Sequence, residues 1–302
     1  MAKHWFRSPD DKRLRAGWRI LLFFMMFAGI SAVLQLGTRA ILGSLHAGGT
    51  LVLGLIAIAA TIAVYVARRF LDRKTFVSLG LGGANIAWKD LAFGFTLSGV
   101  MAATVFCAMW ALGLVTDVRL TWGDGSMTAW LLVTALLPTI FIGYWEELVT
   151  RGYLFQNMRE GMGPGIAIVV SCLLYGLMHA ANPNASVLST AIIILFGFLR
   201  LYGYLATGFL WLPMGMHIGW NFFQGPVFGY AASGQASAQV VLSHSPAGPV
   251  WLSGGAFGPE ASVLIIPVIG AALLVMRAWA NRDELRAVNR SRSRGMLRSP
   301  AS

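Results

Sequence analysis

The chain has 302 residues, of which 57% are hydrophobic and 12% charged, and it carries a formal net charge of +11. Soluble domains contain about 25% charged residues, while apolar stretches of about 20 residues, enough to cross a bilayer, recur along this whole chain. These figures exclude a soluble globular protein and predict an all-α, polytopic membrane protein with one membrane domain.

In chain order, a basic N-terminal segment (1–17) precedes eight expected spans: roughly 18–37, 50–67, 91–115, 129–155, 165–181, 187–207, 209–231 and 261–280. The first follows a basic, aromatic stretch from Lys3 to Arg19 and lacks a small-residue cleavage site, so it is expected to remain as an anchor. Gly161-Met162-Gly163-Pro164-Gly165 is a tight turn, and Thr207-Gly208 alone separates the sixth span from the seventh. Residues 128–232 hold the polar residues of interest, 233–260 form an outer Gly/Ser/Pro-rich loop, and a basic tail (281–302) is expected to be disordered. With eight spans, all of the 23 Lys and Arg residues except Arg39, Arg119 and Arg151 gather on one side. The positive-inside rule makes that side cytoplasmic, together with both termini.

Several function classes fall away. Topology accounts for the net charge, so nucleic acid is not an expected partner. The tail's arginines are explained equally by topology and by contact with anionic lipid head groups. Cys107 and Cys172 both lie in apolar stretches and imply no disulfide framework. The lipid bilayer is an expected partner throughout.

Within the spans, Trp145-Glu146-Glu147-Leu148-Val149-Thr150-Arg151 is anomalous, because an acid in hydrocarbon costs roughly 2.5–3.5 kcal/mol unless paired. Glu147 and Arg151 are i,i+4 on one helical face and suit an ion pair. Glu146 points about 100° away and cannot share that arginine equally. Tyr175 and His179 repeat the i,i+4 spacing on the fifth span, and His217 and Asn221 do so on the seventh. Arg200, near the inner end of the sixth span, is expected to snorkel.

Two His and two Glu on three helices are the components of a hydrolytic site. Imidazoles bind a metal or water, a carboxylate takes a proton, and a carboxamide stabilises an oxyanion. Glu147, His179 and His217 as ligands would suit Zn2+ with one position open to water, leaving Glu146 as general base.

Glu146-Glu147-x-x-x-Arg151-Gly152, Tyr175-x-x-x-His179 and His217-x-x-x-Asn221 resemble the three motifs of the CPBP intramembrane proteases, also called Abi or type II CAAX prenyl endopeptidases. Tyr175 departs from the Phe usual there, and its hydroxyl needs a partner. The resemblance implies that Glu146 activates water with His179 beside it. His217 and Asn221 then hold a metal or stabilise the oxyanion, and Glu147, Arg151 and Tyr175 support them. It implies a membrane-bound peptide or lipidated protein as substrate, in a bacterial cytoplasmic membrane. Three alternatives stay open: a metal-free glutamate protease of the same fold, a non-catalytic scaffold or immunity factor, and a proton-coupled transporter.

Overall fold

The computed structural model describes residues 6–7, 12–42, 49–121, 125–237 and 240–296. Helix α1 (Ala16–Leu42) packs on α2 (Gly49–Val66), which a π-helical turn (Ala67–Leu71) extends. Helix α3 (Ala84–Ala111) leads into strand β1 (Val115–Leu120). Helix α4 (Gly125–Glu147) runs through π-helical turns (Leu148–Leu154) into α5 (Phe155–Met162). Then come α6 (Pro164–His179), α7 (Val187–Thr207) and α8 (Trp211–Phe222), the last extended by a π-helical turn (Phe223–Val227). Strand β2 (Leu242–Pro246), the single turn α9 (Val250–Ser253) and α10 (Ile265–Met296) complete the described chain.

Six helical segments among the described residues are long and apolar enough to cross a membrane: Ala16–Ile41, Gly49–Leu71, Phe76–Ala111, Leu132–Met162, Val187–Thr207 and Ile265–Arg282. They coincide with all the expected spans but the fifth and seventh. Those two are α6, of 16 residues, and α8, of 12. At 1.5 Å per residue, α6 is about 24 Å long against about 30 Å of hydrocarbon. The chain is a multi-pass integral membrane protein. Apolar side chains such as Met25, Val33 and Leu36 on α1 are exposed, forming a surface for lipid rather than water.

Helix α8 is the centre. Every residue from Leu212 to Trp220 is buried, because the helix is apolar all round. Small residues admit it. A Cβ at Gly215 would strike the Leu91 carbonyl, and one at Gly219 would lie 2.5 Å from the Phe95 carbonyl oxygen. Gly94 on α3 answers them, since its Cβ would lie 2.5 Å from the Leu212 carbonyl oxygen. This is the small-xxx-small contact that brings membrane helices to backbone distance.

The narrow break between the sixth and seventh spans is real. Helix α7 starts at a capping box in which Ser186 and Ser189 each satisfy the other's backbone, and it ends at Gly208, whose φ of 74° favours glycine. Within the Gly/Ser/Pro-rich stretch 233–260, β2 pairs antiparallel with β1, Val115 opposite Pro246 and Leu120 opposite Leu242. So short a ladder, bulged between Thr116 and Arg119, leaves no alternation to detect. Helix α10 continues to Met296, so residues 281–296 of the expected tail are helical, while 297–302 lie outside the described residues.

At the opposite end from this sheet, basic residues counted as topology signals are used as internal ties. Arg19 and Arg68 are buried and each donates to Asp72 at 2.9 Å, and Arg19 also reaches Glu160 at 3.0 Å. Asn157 and Gln156 complete the network, bonding Asp72 and Arg68. It joins α1, the end of α2 and α5.

Candidate active site

Glu146 and Glu147 close α4 just before the backbone widens into π-helical turns, a local form concentrated at functional sites. Glu147 is fully buried. Its Oε1 accepts from Arg151 Nη1 at 3.1 Å and from His217 Nδ1 at 2.8 Å, and Arg200 Nη1 lies 3.8 Å away. A carboxylate between two guanidiniums only accepts, so Nδ1 of His217 carries its proton and Nε2 presents a lone pair. Glu146 is different. Its side chain keeps 15% exposure, and its Oε2 sits 3.8 Å from His217 Nε2.

Tyr175 links the second arginine to this acid. Arg200 Nη2 donates to the Tyr175 hydroxyl at 2.7 Å, and that hydroxyl donates to Glu146 Oε2 at 3.2 Å. The guanidiniums of Arg151 and Arg200 also lie 4.3 and 4.8 Å from the centre of its ring. His179 Nδ1 donates to the Tyr175 carbonyl oxygen at 2.8 Å, which turns its Nε2 outward as well.

Glu146, Tyr175, His179, Arg200, His217 and Asn221 all line one cavity of about 600 Å³. The structure therefore brings the sequence-selected residues of three helices together. Glu147 and Arg151 lie behind that wall. Arg200 is the residue that sequence reasoning misjudged. It does not snorkel but is buried, at 4% exposure, with its charge turned into the site. The signal was available in the charge count, since two buried acids and one arginine leave a second cation to be found. Glu260 was missed outright. It lines the same cavity and accepts from Trp220 Nε1 at 2.9 Å, yet it comes from the connection before α10, which no sequence pattern marks.

Residues 128–223 match the family model described as "Rce1-like: Type II CAAX prenyl endopeptidase Rce1-like". Over these helices the chain is similar to that family. The Rce1-like segment contains Glu146, Glu147, Arg151, Tyr175, His179, Arg200, His217 and Asn221, whereas Glu260 lies beyond it. The match is to a family of endopeptidases. The chain is also 28% identical over 170 residues to the uncharacterized protein YyaK of Bacillus subtilis (strain 168), covering 53% of this chain and 54% of the relative. It thus spans about half the length of that curated relative. No solved structure matches the chain significantly.

The ligand set expected for zinc fits poorly. Glu147 Oε1 is committed to Arg151 and to His217 Nδ1, and the described residues contain no group of three His, Cys, Asp or Glu placed to hold a metal ion. Glu147, His179 and His217 do not converge. Glu147 instead orients His217 from behind, so no step below is routed through a metal.

Proposed function

We propose that this chain is an intramembrane endopeptidase that hydrolyses a peptide bond of a membrane-associated or lipidated substrate. The observation that carries the proposal is the separation of roles between adjacent acids. Glu147 is sealed against Arg151 and His217, while Glu146 turns a partly exposed carboxylate into the cavity. A water donating one hydrogen to Glu146 and the other to His217 Nε2 would present its oxygen lone pair to the scissile carbonyl. Glu146 takes the proton as the C–O bond forms. The Asn221 carboxamide stabilises the oxyanion, and Glu146 returns the proton to the departing nitrogen as the C–N bond breaks. The products are a carboxylic acid and an amine, and water is the one co-reactant.

A zinc-dependent variant is the second reading. Both histidines commit Nδ1–H to an acceptor and leave Nε2 free, as metal-bound histidines do. The two mechanisms are separated with purified protein in nanodiscs and a panel of farnesylated, acylated and unmodified membrane peptides. Wild type is expected to cleave at least one peptide, with and without chelator and without stoichiometric metal. Loss of activity in chelator, restored by zinc, would establish the second reading. Glu146→Gln is expected to lower cleavage about 10²- to 10⁴-fold, the contribution of a positioned general base. Undiminished cleavage by this variant would sink the peptidase assignment and return attention to a scaffold or transporter.

A further inference from the structure

Most of the cavity's lining comes from one end of the helix bundle, and the chain's charges say which end that is. Its walls come from the Gly49 end of α2, the Thr134–Glu146 stretch of α4, the last turn of α6, the second half of α8, residues 232–237 and Glu260. The α2, α6 and α8 walls, residues 232–237 and Glu260 lie where their elements meet the connections at the β-sheet end, while the α4 stretch and Arg200 of α7 carry the cavity further along the bundle. Most arginines and lysines sit at the other ends; Arg39 and Arg119 lie at the β-sheet end, and Arg200 lines the cavity. Arg15 and Arg19 begin α1, Arg68 and Arg69 end the α2 segment, Lys89 is in the first turns of α3, and Arg159 closes α5. None of these lines the cavity. By the positive-inside rule the basic end stays in the cytoplasm.

We infer that the catalytic cavity opens to the extracytoplasmic face, and that its substrate is an uncharged polypeptide segment presented at the outer leaflet. At this end the lining is polar but uncharged at Thr50, Asn182, Gln235 and Ser237, which form the mouth under this inference. Leu53, Pro138 and Ile142 give one wall an apolar strip. The acid nearest the mouth, Glu260, is fully engaged. It accepts from the backbone N–H of Ser233 at 2.6 Å, the Ser233 hydroxyl at 2.8 Å and Trp220 Nε1 at 2.9 Å. The cavity's other charges, Glu146 and Arg200, are tied together through the Tyr175 hydroxyl, so charged peptide termini or basic tails find no unengaged counter-charge there, and burying an unpaired charge is costly. The peptidase reading supplies what happens to the bound segment; the facing of the cavity does not depend on it. A cytoplasmic tail, prenylated or not, would approach the wrong end.

Site-directed labelling in intact cells tests this directly. In a Cys107→Ser, Cys172→Ala background, Gln235→Cys at the mouth should react with a membrane-impermeant maleimide without permeabilisation. Thr75→Cys, between α2 and α3, should react only afterwards. Ala236→Cys and Val77→Cys form a second pair should either first variant fail to insert. Ala135→Cys, on the cavity wall, should react from outside with a small charged methanethiosulfonate. The reverse pattern, labelling of both ends from outside, or labelling of neither mouth position before permeabilisation would each overturn the inference. The same pattern is expected in Glu146→Gln, so loss of the peptidase reading and loss of the facing are told apart.

Discussion

At Glu147 three cationic or donor groups converge on a single buried oxygen, and that crowding decides what its neighbour can do. Removing one partner of such a cluster leaves an uncompensated charge, which costs about 3–5 kcal/mol. Arg200→Met is therefore expected to lower unfolding stability in detergent by about that amount, whereas a snorkelling arginine would give a change near zero. Tyr175→Phe is a milder test. It deletes the hydroxyl between Arg200 and Glu146, leaving a buried donor unmatched, for a loss of about 1–3 kcal/mol measurable in the same assay. The Glu147–Arg151 pair was legible from i,i+4 spacing alone, and so were the faces of Tyr175 with His179 and His217 with Asn221. The contact of Arg200 with Tyr175 was not, because it joins α7 to α6 through side-chain reach that no local pattern encodes.

Among the elements, the two short helices matter most. Helix α6 ends at His179, and α8 passes Asn221 into a π-helical turn. Both stop near the depth of the site, and the connection from Tyr230 to Glu260 folds down over them. Shortness is thus what makes room for a cavity. Hydropathy located both helices but could not distinguish a short buried helix from a full span, since apolar composition serves either purpose. Gly219→Leu is expected to force α8 off α3 and prevent accumulation of folded protein, read by fluorescence-detected size exclusion. Gly37→Leu, whose Cβ would meet nothing within 4 Å, should be tolerated. At the covering connection, Glu260→Gln weakens a charge-assisted tie to Ser233 and Trp220. Limited proteolysis within 228–262 should become faster while α1–α5 stay protected.

The whole molecule is held at one end by charge and along its length by apolar packing. The Arg19–Asp72–Arg68 network ties α1 and α5 to the end of α2 remote from its cavity-lining residues, and none of its members lines the cavity. Asp72→Asn, which leaves two buried arginines short of a counter-ion, should cost about 3–5 kcal/mol in thermal unfolding without moving Glu146. Labelling of Gln235→Cys should persist in that variant at temperatures where it remains folded. The sequence by itself determined the membrane class, most of the helical segments, and the motif residues. It could do so because hydropathy, charge bias and i,i+4 spacing are local or additive. Tertiary structure alone decided that Arg200 completes the charge balance, that Glu147 holds His217 through Nδ1, and that Glu260 lines the cavity. Each of these depends on which helices meet, and that is settled by glycine-backbone contacts far apart in the chain.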